Sequence, residues 1–335
     1  MSTARARILG LGTYLPPRVV TNNDLAQVMD TSHEWIVERS GIEERRWVDA
    51  EEGNYTMGVK AAKAALENAG CEASEIDCII YATLSPDYFF PGCGVLVQRE
   101  LGIDNVPAFD IRQQCSGFLY GIQMADSFIR SGQYKKILLI GGEVHSRGLE
   151  KATRGRTVTV LFGDGAGAAV IGASDDPERG ILTTRMHSQG DDAESLAILW
   201  PGMAPNREQF VTHDDIDEGR IWPYMEGQKV FKNAVKRMPE VIKEVLEEQN
   251  LAVDDIDMLI PHQANLRINE MVAKLLRIDE SKVHNNIQKY GNTTAATIPI
   301  CLSEAIALGK VKEGDLVCAV AFGSGFTWGA VLMRW

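Results

Sequence analysis

Apolar and polar positions along this chain follow two different periods. Short, nearly continuous apolar runs occur at Arg7–Gly12, Cys78–Ala82, Lys136–Ile140, Ala168–Ile171, Met258–Ile260 and Leu316–Ala321. Runs of this length, bounded by turn residues, read as strands buried on both faces. Between them, apolar residues recur at helical spacing over Thr56–Ala69, Gly117–Ser131, Val230–Glu248, Leu266–Leu276 and Ala295–Leu308. Those stretches predict amphipathic helices. Strands alternating with helices predict an α/β protein with helices on the faces of its sheets.

The pattern is written twice. Residues 65–80 (ALENAGCEASEIDCII) align with 245–260 (VLEEQNLAVDDIDMLI) at an offset of 180, pairing Leu66 with Leu246, Ile76 with Ile256, Asp77 with Asp257 and Ile80 with Ile260. Further on, the offset shrinks to 175, where Val97–Asp104 meets Val272–Asp279. A period this long exceeds any solenoid repeat and indicates duplication of a whole domain. Halves of 1–175 and 176–335 follow, and two packed halves imply a five-layered α/β/α/β/α body.

Composition narrows the function. The 335 residues carry 34 Lys and Arg against 46 Asp and Glu, a net charge of −12. That argues against a nucleic-acid partner, whose phosphates need a basic surface. No run of 18 or more apolar residues predicts a membrane span, and the apolar stretch after Arg5 and Arg7 stops at Pro16-Pro17, too short for a secretory signal. A cytoplasmic location is expected. The six cysteines form no CxxC pair and no zinc pattern, so they read as reduced thiols with no metal.

Three polar residues stand where a duplicated core calls for apolar ones. Cys115 lies in Ala108–Tyr120 (AFDIRQQCSGFLY), where a strand-like stretch runs into a helix. Helix-start N–H groups and the positive dipole end favour a thiolate, which makes Cys115 a candidate nucleophile. An offset of 177, which pairs Gly132 with Gly309, carries Cys115 onto Asn292. His262 directly follows the repeated buried strand of the second half, at a strand end where α/β proteins place reacting groups.

Longer motifs carry a resemblance. They are Asp30–Ile42 (DTSHEWIVERSGI), the cysteine segment, Phe162–Ala169 (FGDGAGAA), Pro261–Ile268 (PHQANLRI), Gly291-Asn-Thr293 and Phe322–Gly329 (FGSGFTWG). In this order and over the whole chain, the sequence resembles the β-ketoacyl-acyl carrier protein synthase III family of the thiolase superfamily. The resemblance implies a thiolase-like duplicated fold, a homodimer and a catalytic set of Cys115, His262 and Asn292. It implies that Cys115 takes an acyl group from an acyl-CoA, and that malonyl-acyl carrier protein (ACP) then loses carbon dioxide and condenses with it. His262 and Asn292 would face the enolate oxygen. The backbone N–H groups of Cys115 and Ser324 would form the oxyanion hole, although relatives more often carry glycine where Ser324 stands.

Binding residues follow from the same resemblance. Trp35 and Arg39 match the pair that sandwiches the CoA adenine. Arg154 and Arg156 compete for a further CoA contact, and Gln228 and Asn265 would both reach the pantetheine arm. Phe90, from either subunit, and Phe322 would line the acyl pocket. Lys232, Arg267 and Lys274 match positions that dock the acidic ACP. CoA thioesters are substrates here, and no metal or redox cofactor is implied. The segments Ile111–Gly117, Gly142–Val144 and Arg154–Arg156 also resemble synthase III-like enzymes of alkylquinolone formation, which accept aryl-CoA primers and CoA-linked extenders. A catalytically silent duplicated fold, a thiolase and a cysteine hydrolase are the remaining readings.

Overall fold

A computed structural model describes residues 5–335. Its first sheet has five strands: β1 (Ala6–Tyr14), β2 (Cys78–Ala82), β3 (Ala108–Ile111), β4 (Lys136–Glu143) and β5 (Gly165–Ala173), in the spatial order β1-β5-β4-β2-β3. The second has four: β6 (Gly180–Ser188), β7 (Met258–Pro261), β8 (Leu316–Gly323) and β9 (Thr327–Arg334), in the order β7-β8-β9-β6. The two sheets share one plan. β2 runs parallel to β4, as β7 does to β8. β5 is antiparallel to both β4 and β1, as β9 is to both β8 and β6. The counterpart of β3 is reduced to a single parallel bridge between Leu259 and Val283.

Seven longer helices complete the body: α1 (His33–Ser40), α2 (Asn54–Ala69), α3 (Cys93–Leu101), α4 (Gly117–Ser131), α5 (Gly227–Glu248), α6 (Leu266–Leu276) and α7 (Thr297–Ala307). α2 and α3 cover the outer face of the first sheet, and α5, backed by α6, covers the outer face of the second. Between the sheets, α4 touches strands of both, while α7 lies on β1, β5 and β7. The result is a five-layered α/β/α/β/α stack. Strand periodicity explains the apolar runs. In β8, Val317, Ala319 and Ala321 face the central layer, whereas Leu316, Cys318, Val320 and Phe322 face α5. Both faces of the strand are buried, so every position must be apolar. Strand β9 follows β8 through a turn of only three residues, and β6 mixes polar with apolar positions, so neither stands out as a separate run.

The structure corrects one alignment. The short turn Gln114–Ser116 before α4 corresponds to Thr294–Ala296 before α7, an offset of 180. Gln114 and Thr294, both at positive φ (43° and 49°), mark the equivalence. The counterpart of Cys115 is therefore Ala295, and Asn292 lies three residues upstream of it. The offset of 177 holds only at the far ends, Gly132 and Gly309, because α7 is shorter than α4.

Strand β1 and helix α2 meet backbone to backbone. A Cβ on Gly12 would lie 2.2 Å from the Ala61 carbonyl oxygen and 2.2 Å from the Ala65 nitrogen. Helix backbone cannot yield to such a clash as a flexible side chain can. Gly12→Ala is expected to lower the stability by about 1–3 kcal/mol or more. Urea denaturation measures this, and an unchanged midpoint would show that α2 moves away without cost.

Candidate active site

Cys115 sits in the turn between β3 and α4, 7% exposed. It rests on the end of β8: a Cβ on Gly323 would lie 2.5 Å from the Cys115 Cβ and 3.0 Å from its sulfur. Only glycine at 323 lets the β8–β9 turn approach the thiol this closely. Ser116 Oγ, hydrogen-bonded to the Thr327 carbonyl at 3.1 Å, ties the same turn to β9. The thiol is not the thiolate that its helix-start position suggests. Burial, with the nearby Glu143 carboxyl adding to it, pushes its pKa up to about 12. The N–H groups of Cys115 and Ser324 act in the opposite sense and do not overcome it. Desolvation outweighs the dipole here.

Ser324 departs from glycine without backbone strain. It is absent from the positive-φ positions, and the unusual φ of 129° falls on Gly325 instead. The Ser324 hydroxyl donates to the Leu196 carbonyl, which fastens the β8–β9 turn to the segment after β6. Gln189 and Phe326 exchange two backbone hydrogen bonds beside it.

His262 follows β7 directly, and its N–H donates to the Val320 carbonyl on β8 at 2.7 Å, three residues before Gly323. The ring is 3% exposed. Its Nδ1 lies 2.6 Å from Thr297 Oγ1, and its Nε2 has no partner among the described residues. Burial pushes its pKa down to about 3, so the ring is neutral. Asn292 is 5% exposed. Its side-chain oxygen accepts from the Thr294 N–H at 2.8 Å, which leaves the amide NH2 as the outward donor. Its backbone is pinned on both sides, with N–H donating to Leu161 O at 2.8 Å and O accepting from Gly163 N–H at 3.0 Å. One segment, 292–297, thus holds Asn292 and also supplies the partner of His262. This segment packs on the Cys115 turn, where a Cβ on Gly117 would touch that of Ala295 at 3.7 Å.

Two further buried polar residues lie behind this centre, and neither is among the reactive positions that the sequence pattern marks. The Glu143 carboxylate, fully buried at the end of β4, accepts from Thr83 Oγ1, from Leu84 N–H, and from the N–H and hydroxyl of Ser85. Desolvation pushes its pKa up to about 7 despite these donors. His145 Nε2 lies 2.7 Å from Thr294 Oγ1, and burial pushes its pKa down to about 3. Both come within five residues after the apolar run Lys136–Ile140, much as His262 comes directly after Met258–Ile260 and Pro261.

The remaining sequence candidates fall into three places. Trp35 on α1 has the Arg39 guanidinium 4.3 Å and the Arg156 guanidinium 5.0 Å from its ring centroid. Arg154 instead pairs with Glu150 and donates to the Asp217 carbonyl. Geometry therefore separates the two arginines and joins Arg156 to Trp35. Asn265 caps α6 by accepting from Arg267 N–H, and its amide nitrogen donates to the Arg39 carbonyl at 2.9 Å. Gln228 is exposed at the start of α5, where it and Lys232 line one recess. Lys232, Arg267 and Lys274 are exposed on α5 and α6, which pack on each other. Arg267 and Lys274, seven residues apart, share one face of α6. Phe322 is 4% exposed and packs on Phe326, with ring centroids 5.0 Å apart. Phe90 is 81% exposed, so its own chain does not enclose it, contrary to a pocket built within one subunit. An unrelated groove between Arg7, Arg179 and Arg334 lies at the opposite strand ends and contains none of these residues.

Residues 109–190 match 3-oxoacyl-[acyl-carrier-protein] synthase III, and residues 246–335 match the C-terminal region of the same enzyme. The chain is 44% identical over 335 residues to the β-ketoacyl-[acyl-carrier-protein] synthase III of Brucella anthropi, with 99% of each chain covered. Against that of Rhodospirillum centenum it is 45% identical over 334 residues, again with 99% of each covered. The chain belongs to the β-ketoacyl-[acyl-carrier-protein] synthase III family. The crystal structure of the synthase III from Aquifex aeolicus superposes with a TM-score of 0.89 at 46% identity, covering 98% of this chain and 100% of that one. The priming β-ketosynthase of the R1128 polyketide pathway follows the same path with a TM-score of 0.88 at 32% identity, covering 98% and 96%. This synthase III is accordingly a condensing acyltransferase of fatty acid biosynthesis with the thiolase-like fold. Among its described residues no helix is long and apolar enough to cross a membrane.

The two neutral histidines carry a pH signature. Each has a folded pKa near about 3 against about 6.5 in an unfolded chain. Between those values the unfolded state binds protons that the folded state refuses, so stability falls as pH drops from 6.5 and levels off below 3. Glu143 acts oppositely: its raised pKa contributes stability below about 4.5 that is lost as pH rises through about 7. His145→Gln is expected to shrink the loss of unfolding free energy between about pH 7 and pH 4.5. Urea denaturation at both values checks it, and an undiminished loss would mean that His145 is not held neutral.

Proposed function

We propose that this synthase III joins an acyl-CoA primer to malonyl-ACP, with loss of carbon dioxide, and so initiates fatty acid synthesis. The observation that supports this most directly is the packing of three elements around one thiol. The Gly323–Ser324 turn brings a second N–H group to Cys115, and the 292–297 segment brings Asn292 and His262 to the same place.

In the first stage the Cys115 sulfur attacks the thioester carbonyl of the primer. The tetrahedral oxyanion forms where the N–H groups of Cys115 and Ser324 point, and preorganised donors of this kind lower such barriers by several kcal/mol, about 3–4 for one donor. The CoA thiolate leaves and an acyl-Cys115 remains. Malonyl-ACP then enters, loses its carboxylate as carbon dioxide, and becomes an enolate whose oxygen is met by Asn292 Nδ2 and His262 Nε2. The enolate carbon attacks the acyl group and releases Cys115.

Substrate binding is assigned to the surface around this centre. Trp35, Arg39 and Arg156 form a flat cationic platform suited to an adenine nucleotide. Arg39 rests on Trp35, so a base inserted between them displaces it. Asn265 retains one unused amide N–H for the pantetheine arm, and Gln228 is free to turn toward it. Lys232, Arg267 and Lys274 offer an acidic carrier a local positive face on a chain of net charge −12. Tyr88, Phe89 and Phe90 are exposed together, which suits a homodimer in which Phe90 closes the acyl pocket of the partner. The assignment of ACP rather than CoA as extender carrier, and the cytoplasmic location, belong to this reading.

Incubation with a series of acyl-CoAs is expected to add one acyl mass to the protein, and Cys115→Ala to abolish the adduct. Malonyl-ACP should then discharge it as β-ketoacyl-ACP. No adduct from any primer, or an adduct that persists in Cys115→Ala, would overturn the reading. Lys274→Glu should raise KM for malonyl-ACP about tenfold at low salt, and less at high salt, while acyl loading stays unchanged. Steady-state kinetics with malonyl-ACP and malonyl-CoA in parallel read this. Equal losses with both extenders would remove Lys274 from carrier docking.

A further inference from the structure

The Thr297 hydroxyl stands between His262 and the turn that holds Asn292. Its oxygen lies 2.6 Å from His262 Nδ1 and 2.9 Å from the Thr294 carbonyl oxygen. A hydroxyl donates one proton and accepts through its lone pairs, whereas a carbonyl only accepts. When Thr297 donates to Thr294, the proton in the bond to His262 must therefore sit on Nδ1. His262 Nε2 is then a bare lone pair, and it is the ring atom that lacks a partner among the described residues.

Rotation of the same hydroxyl reverses the arrangement. Oγ1–H then donates to Nδ1, and the neutral ring carries its proton on Nε2. The Thr294 carbonyl is not abandoned, because the Thr297 backbone N–H also donates to it. Each arrangement keeps Nδ1, the Thr297 hydroxyl and the Thr294 carbonyl hydrogen-bonded and leaves Nε2 to the substrate, without burying a charge, which is the costly alternative in a site this dry. The ring's surroundings agree: burial holds it neutral, and no carboxylate among the described residues is hydrogen-bonded to it.

We propose that Thr297 is a positioning residue that lets His262 serve the two stages as opposite tautomers, acceptor at Nε2 during acyl loading and donor at Nε2 during decarboxylation. The proposal rests on the roles given to Cys115 and His262 above. In loading, the Cys115 S–H proton passes to Nε2, sulfur bonds the acyl carbon, the bond from that carbon to the CoA sulfur breaks, and the CoA thiolate takes the proton. Between stages, with CoA gone, water gives a proton to one ring nitrogen and takes the proton of the other. In decarboxylation, the malonyl carbon–carbon bond breaks, its electron pair forms the enolate, and Nε2–H hydrogen-bonds the enolate oxygen. Condensation breaks the acyl–sulfur bond, and the released Cys115 thiolate takes a proton from water.

Thr297→Val keeps the shape and removes the hydroxyl, and Thr297→Ser keeps the hydroxyl. Single-turnover acyl loading and malonyl-ACP decarboxylation should each fall about 10- to 100-fold in Thr297→Val, the rate equivalent of losing one buried hydrogen-bond partner. Both should return to within a few fold of wild type in Thr297→Ser. Nitrogen-15 NMR of histidine-labelled protein should show His262 as the neutral Nδ1–H tautomer in wild type and Thr297→Ser, and a changed tautomer ratio in Thr297→Val. Loss of packing alone would leave that ratio in place. Thr297→Ala replaces the valine variant if the latter does not fold. Unchanged half-reactions, or an unchanged tautomer, overturn the proposal. His262→Ala is the reference: if it performs both stages at wild-type rates, the reading of the site fails, whereas an impaired His262→Ala beside an unimpaired Thr297→Val overturns this proposal alone.

Discussion

The two central helices begin against each other, and little more than a methyl group fits between their first turns. A Cβ on Gly117 would lie 3.1 Å from that of Ala82 and 3.7 Å from that of Ala295, and one on Gly141 would lie 2.5 Å from the Ala295 carbonyl oxygen. Small residues on both sides of the seam make this approach possible. Because α4 and α7 start here, the turns that precede them, one carrying Cys115 and the other following Asn292, are brought together by backbone packing. The reactive side chains are placed by the layers of the fold, not by long flexible arms, which suits a centre that must hold its groups in register.

The same packing makes the centre dry, and dryness sets its charge state. Cys115 is pushed up to about 12, His262 and His145 down to about 3, and Glu143 up to about 7. Among the described residues no cation is hydrogen-bonded to Glu143, and no carboxylate to either histidine. At rest the reactive groups are neutral, so charge arises only when a substrate supplies the partner that stabilises it. Neutral donors such as Asn292 Nδ2 need no reorganisation when an oxyanion forms beside them.

Much of this was legible from residues alone. The apolar runs located six of the nine long strands, since strands buried on both faces have no polar position to hide them. Gly117–Ser131 and Leu266–Leu276 have the bounds their spacing predicts. Cys115 stood out as a thiol at a helix start and His262 as a polar residue directly after a buried strand, whereas Asn292 was reached through the family's motif and an offset of 177 that the structure replaces with 180. The exact pairing of the repeat did not stand out, because α7 is shorter than α4 and the loss of residues is invisible without the matching turns. Nor did the thiol's protonation, since sequence shows a helix start but not the depth of its burial. Glu143, His145 and Thr297 act through other side chains, and only distances reveal such bonds.

The depth of Cys115 has a consequence outside the reaction itself. Peroxides and common alkylating agents attack a thiolate, and a thiol protonated at neutral pH with 7% of its surface exposed presents almost none. An oxidant in solution therefore meets a mostly covered, protonated sulfur, whereas in the proposed loading stage His262 takes the proton once an acyl donor fills the site.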